Sequence, residues 1–162
     1  SGDTSDGKAG VSIVTFTKDM LTGIQKIDMQ HKELIDRLNR LISLKADSDE
    51  EVRRMLDFLD GYIVRHFGDE ETLQIQSNYP KFERHKSQHQ LLADEYQHLR
   101  QEFDRVGFSA EFSLKLQNAV VSGIVNHMKL LDVEFGKYYC IRRISLKESN
   151  AAHAIKSPPS AV

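Results

Sequence analysis

Two pairs in this chain have residue types and spacing that can do chemistry: His66-x-x-x-Glu70 and His85-x-x-x-His89. Residues four apart on an α-helix lie on one face, so each pair aims its side chains at one place. Imidazole suits iron, zinc and copper, and a carboxylate can bridge two cations. Asn78-Tyr79-Pro80 stands between the pairs as a turn signal that folds the second helix back on the first. Four metal-ligand candidates are thereby brought together.

Four amphipathic stripes must position them. The first covers about residues 25–45 through Ile27, Leu34, Ile35, Leu38, Leu41 and Ile42, and His31 fills its gap, facing inward. The second opens at Asp47-Ser48-Asp49-Glu50-Glu51, where Ser48 and Glu51 make a capping box and the acids suit the positive end of the helix dipole. Its stripe runs through Val52, Met55, Leu56, Leu59, Tyr62 and Ile63 to His66, Glu70 and Leu73. A core-facing glutamate is expensive unless paired or bound to a cation, which favours Glu70 as a ligand; Asp69 and Glu71 beside it are expected to face water. The third stripe, from Pro80 or Lys81 to Val106, carries Phe82, His85, His89, Leu92, Tyr96, Leu99 and Phe103 and is closed by Gly107. The fourth, from about Ser109 to Arg143, carries Leu116, Val120, Ile124, His127, Leu131, Phe135 and Tyr138.

Five of the seven histidines therefore face inward, spread over four helices, with Glu70 among them. His98 lies off its stripe and His153 sits in the tail, so both are read as outside the site. Asp132 follows His127 by five residues, roughly 140° round a regular helix, and this offset weakens its claim on spacing alone. The predicted fold is all-α: an antiparallel up-down four-helix bundle with an extended N-terminal arm over about residues 11–23. Residues 1–10 read as a disordered arm or linker, 11–144 as the folded domain and 145–162 as a flexible C-terminal tail.

Composition excludes several classes. The 162 residues carry a net charge of −2 and are 40% hydrophobic, which gives no electrostatic case for nucleic acid or an anionic membrane. No apolar run reaches spanning length. A single cysteine, Cys140, rules out an internal disulfide and fits a reducing, cytoplasmic setting.

In its combined spacing the chain resembles the hemerythrin family, in particular its bacterial hemerythrin-like domains. The resemblance rests on Gly23-Ile24 to Ile27-Asp28-x-Gln30-His31, His66-Phe67-x-x-Glu70-Glu71, Tyr79-Pro80 with His85-x-x-x-His89, and His127-x-x-x-x-Asp132, and covers about residues 16–139. Family members usually carry Trp in the arm, where this chain has Phe16. The resemblance implies two iron ions in an oxo- or hydroxo-bridged, non-heme diiron centre. His85, His89 and His127 would bind one iron, His31 and His66 the other, and Glu70 and Asp132 would bridge both. It implies reversible O2 binding at the iron with the vacant position, as a carrier, store or sensor, with a diiron oxidase or peroxidase as the alternative. Phe67, Ile124, Met128 and Leu131 are expected to form the apolar O2 pocket, and a signalling domain in a longer parent protein would be a natural partner. No helix-breaking residue separates His127 from Asp132. Regular α-type hydrogen bonding is therefore favoured there, with the Asp132 carboxylate leaning round between two ions; the alternative is a local π-bulge, which turns a five-residue step nearly onto one face.

Overall fold

The computed structural model describes residues 13–44 and 49–156. Among these residues the chain forms four helical rods and no strand. They are α1 (Gln25–Ser43), α2 (Asp49–Gln76), α3 (Phe82–Val106) and a composite fourth rod. The last begins as α4 (Ala110–Asn118), passes through π-helical segments at Ala119–Val125 and Met128–Asp132, and ends as α5 (Val133–Lys156). Short connections make sequential rods neighbours, giving the up-down bundle that the four stripes imply. The Ser48 capping box and residues 1–10 lie outside the described residues, but the acidic start of α2 (Asp49, Glu50, Glu51) is in place at the positive end of the helix dipole.

Local chemistry fixes each turn. Asn78 takes φ 53°, a left-handed conformation that asparagine tolerates, and the Tyr138 hydroxyl donates to the carbonyls of Ser77 and Asn78 at 2.5 and 2.9 Å. At the other end Gly107, with φ 75°, closes α3 by donating its N–H to the Phe103 carbonyl. The Ser109 hydroxyl then accepts the Phe112 N–H and starts α4.

The arm before α1 is extended, as expected, apart from one turn of 3-10 helix at Lys18–Met20. Asn39 pins it by accepting the Val14 N–H and donating to the Val14 carbonyl. Asp28, in the first turn of α1, accepts from the backbone N–H groups of Thr22 and Gly23 and from the Thr22 hydroxyl. The chain at Thr22 thereby lies directly against α5, at Gly136.

The main core fills one end of the bundle, where Leu38, Leu41, Leu56, Leu59, Phe103 and Phe112 are fully buried. Burying each such side chain contributes roughly 1.5–3 kcal/mol. A smaller cluster of Ile24, Ile27, Tyr79 and Phe135 closes the opposite end. The candidate ligands lie between the two.

The fourth rod departs from expectation twice. Its hydrogen bonding through 128–132 is π-type, not α-type, so the regular helix expected between His127 and Asp132 is overturned. A π-turn spans five residues, and it brings a five-residue step nearly onto one face without needing a helix breaker. The buried positions move with it. They run Leu116, Val120, Val125, His127, Met128, Asp132, Phe135, with five-residue steps from 120 to 125 and from 127 to 132. Helix also continues beyond residue 144, where loss of apolar periodicity suggested a flexible tail. α5 reaches Lys156, and residues 141–155 are exposed throughout. Once begun, a helix can be extended by local hydrogen bonds alone, one per added residue.

Two glycines test this packing in opposite directions. A Cβ at Gly136 would stand 2.2 Å from the Thr22 carbonyl oxygen, whereas one at Gly61, within α2, meets nothing within 4 Å. Gly136→Ala is expected to destabilise by about 3 kcal/mol through forced movement of the arm. Gly61→Ala should stabilise by about 0.5–1 kcal/mol by removing glycine's backbone entropy. Thermal unfolding of the two variants beside the parent chain measures both.

Candidate metal centre

All four rods deliver side chains to one buried volume. His31 comes from α1, His66 and Glu70 from α2, His85 and His89 from α3, and His127 and Asp132 from the fourth rod. All seven are buried, Glu70, Asp132 and His31 completely. The donor atoms converge. Asp132 Oδ1 lies 2.9 Å from Nε2 of both His85 and His127, and its Oδ2 lies 3.1 Å from His31 Nε2. Glu70 Oε1 is 3.1 Å from His85 Nε2, and its Oε2 is 3.6 and 3.8 Å from Nε2 of His66 and His89.

These contacts divide into two sets of ligand atoms, each within 4.8 Å of one another: His85, His89, His127 and Asp132, and His31, His66, Glu70 and Asp132. Asp132 belongs to both. Both carboxylates, together with Nε2 of His85, His89 and His127, find no hydrogen-bond partner. Orphaned acceptors this deeply buried cost free energy unless a cation satisfies them. Five imidazole nitrogens and two carboxylates are a donor set for divalent iron, manganese or zinc. The residues therefore fit two cations sharing a carboxylate.

Charge is strained in the metal-free arrangement. Burial pushes His66 down to about 3 and His89 to about 2. Burial also opposes a charge on His85, but the adjacent Asp132 and Glu70 carboxylates, 2.9 and 3.1 Å from its Nε2, outweigh it and push His85 up to about 9. Glu70 is held well above the usual carboxylate range by burial and by neighbouring Asp132. Asp132, despite its burial, is held well below that range by His127, His31 and His85.

The surroundings correct the expectation that Asp69 and Glu71 face only water. Both are half-buried, and only Glu71 meets an imidazole directly. Glu71 Oε1 is 3.0 Å from His89 Nδ1. Asp69 accepts from the Gln30 amide, whose oxygen is 2.8 Å from His66 Nδ1. The aromatic ring of Phe67 stacks on His89 at 4.0 Å between centroids.

Beside His31, His66, His127 and Asp132 is a cavity of about 20 Å³. Of the expected apolar lining, Phe67, Ile124 and Met128 are there; Leu131 is not. The π-turn puts Asp132 inward in its place and leaves Leu131 half-buried in an outer groove between α3 and the fourth rod. Leu34, Ile63, Leu92 and Tyr96 complete the lining. Their place on the inward stripes was the signal for them, but periodicity cannot distinguish cavity wall from ordinary core. His98 and His153 are exposed and away from the cluster.

Residues 22–137, a range that contains all seven candidate ligands, match the hemerythrin HHE cation-binding domain family. The bacteriohemerythrin of Methylococcus capsulatus is 30% identical over 128 residues, which are 78% of this chain and 96% of that protein. The bacteriohemerythrin of Stenotrophomonas maltophilia is 25% identical over 120 residues, 74% of this chain and 76% of the relative. The Pseudomonas aeruginosa bacteriohemerythrin matches over a shorter stretch, 32% identical over 79 residues, 48% of this chain and 52% of its own length.

Ligand removal separates the cluster from its surroundings. Glu70→Ala is expected to lose at least one of two metal ions per chain and to lower melting stability, whereas His98→Ala should change neither. Elemental analysis after anaerobic loading with ferrous iron reads this directly, and equal loss in both variants would refute the grouping. Acidification gives an independent check on the metal-free protein. Folded His66 and His89 stay neutral below their ordinary value of 6.5 and take up protons only on unfolding, so stability is lost as pH falls below 6.5. Glu70, which keeps its proton above 4.5 when folded, opposes them in part. Between 6.5 and about 9 folded His85 retains a proton that the unfolded chain releases, so stability falls as pH rises. Denaturant titrations across this range are expected to place maximal stability near pH 6.5.

Proposed function

The chain belongs to the hemerythrin family, and from that premise we propose that it binds O2 reversibly at a diiron centre. His85, His89 and His127 hold one iron, His31 and His66 the other, and Glu70 and Asp132 bridge them. When bound, the ferrous pair supplies the two electrons that O2 takes up. The observation that carries the reading is the cavity of about 20 Å³ beside His31 and His66. A void of that size is on the scale of one water molecule, so it suits a diatomic ligand and little else.

The side chains around the cavity favour binding over turnover. Leu34, Ile63, Phe67, Leu92, Ile124 and Met128 make its wall apolar, which disfavours water and the escape of charged oxygen species. The one hydroxyl in the lining, Tyr96, is committed elsewhere. It donates at 2.9 Å to the Leu56 carbonyl and stands 2.6 Å from Asp60 Oδ1. Burial and Asp60 also push its pKa up, so it is a poor proton donor. Apart from the candidate ligands, the lining therefore offers no ready general acid.

Anaerobic loading with ferrous iron followed by admission of air provides the test. A new visible absorption that persists and reverses under argon is expected. Continuous O2 or peroxide consumption in the presence of a reductant, without a persistent coloured form, would instead assign an oxidase or peroxidase. Ile124→Phe places added volume in the cavity without touching a ligand. It should retain two irons while slowing oxygenation, because the ring fills the space the ligand needs, and should lower stability by about 1–3 kcal/mol through overpacking.

A further inference from the structure

Support behind the imidazoles is uneven in both halves of the centre, where His31 and His85 each have a buried Nδ1 without a partner. On the three-histidine side, His89 Nδ1 meets a carboxylate, Glu71. On the other side, His31 Nδ1 is buried without a partner. Of the imidazoles in the two-histidine half, only His66 has a hydrogen-bond partner on its Nδ1, the Gln30 side-chain oxygen at 2.8 Å.

An amide can present either end, so what fixes Gln30 matters. Its nitrogen donates to Asp69 Oδ2 at 2.8 Å, and Asp69 Oδ2 lies 3.4 Å from the Lys26 ammonium. An ionised carboxylate only accepts, so the amide nitrogen must face Asp69 and the amide oxygen must face His66. That oxygen accepts a hydrogen bond from Nδ1–H, which leaves the Nε2 lone pair pointing into the cluster, 3.1 Å from His31 Nε2. Turned over, Gln30 would present a donor to Nδ1 and drive the proton to Nε2, where it blocks a cation. The Gln30 backbone carbonyl accepts from the Tyr62 hydroxyl at 2.9 Å, which holds the residue in place. Gln30, Lys26 and Tyr62 also line a surface depression, so this amide stands between solvent and the His66 ring.

We propose that Gln30 is the positioning residue of the His31/His66 half of the centre: Asp69 fixes its amide so that it accepts the His66 Nδ1 proton and leaves Nε2 free for the cation. The inference rests on His66 being a metal ligand. Hydrogen-bond partners behind metal-bound histidines typically change metal retention by about 10–100-fold when removed.

The full chain loaded with cobalt(II) tests this, because paramagnetic shifts resolve each exchangeable imidazole N–H and chelator-driven release is read ion by ion. In the parent chain the His66 Nδ1–H signal, assigned with ¹⁵N-histidine, should exchange slowly with solvent. Gln30→Leu should lose that slow exchange and release one of its two cobalt ions about 10–100-fold faster, the other unchanged. Asp69→Asn, which does not touch His66, should shift both readouts in the same direction. Gln30→Glu keeps an acceptor and should restore slow exchange and near-parental release. Unchanged exchange and release in Gln30→Leu would overturn the proposal, as would equal acceleration of both ions or failure of Gln30→Glu to rescue. A parent chain that binds no cobalt at the cluster would instead remove the metal reading beneath it.

Discussion

Two carboxylates buried among five imidazoles are the constraint on which the rest of this molecule depends. The seven groups strain one another's protonation. Glu70 is driven toward its protonated form while Asp132, surrounded by His31, His85 and His127, stays ionised. Their oxygens nevertheless lack hydrogen-bond partners. That unmet free energy of desolvation is what a bound cation would relieve, and its binding would then be coupled to folding. It also accounts for the aromatic and aliphatic clusters at both ends, which must hold the rods together around an interior that by itself disfavours closure.

The fourth rod is where this demand deforms the backbone. A regular helix would turn Asp132 away from His127 and bring Leu131 inward. The π-turn at Met128–Asp132 reverses that exchange, and Asp132 becomes wholly buried between imidazoles from two other rods. π-turns are uncommon and tend to mark functional positions. The preceding π segment at Ala119–Val125 brings Gly123 against Leu92, where an added Cβ would sit 3.0 Å from that side chain. Leu92 borders both the inner cavity and the outer groove, so the same distortion brings α3 close to the candidate site.

A second layer converts exposed charges into support for the site. Asp69 and Glu71 flank Glu70 on the helix, as sequence position requires, yet each turns toward a neighbouring rod, one to Gln30 and the other to His89. Farther from the cluster, Arg100 joins α3 to α2 through Asp57 and Asp60, and Asp28 ties the arm to α1. The Arg100 pairs, whose aspartates are exposed, add little each, about 0–1 kcal/mol. Their value lies in fixing the register between rods that carry ligands to a common point.

Much of this was legible in the residues alone. Apolar stripes with a period near 3.6 specify four helices, and a histidine or glutamate within such a stripe must face inward; His31, His66, Glu70, His85, His89 and His127 all do. The ends of α3 follow equally from local chemistry, because Asn78 and Gly107 supply the unusual backbone angles there. Burial of Asp132 was legible only through the His127-x-x-x-x-Asp132 spacing of the family resemblance, and the exclusion of Leu131 and the roles of Gln30, Asp69 and Glu71 were not legible. A π-turn has no breaker residue to announce it; packing against the other rods selects it. A side chain on the rim of a stripe can face water or a neighbouring rod with equal ease. Periodicity fixes direction about a single helix axis, whereas the partners that meet there depend on the rotation and height of the neighbouring helix, and those are set only when the whole bundle packs.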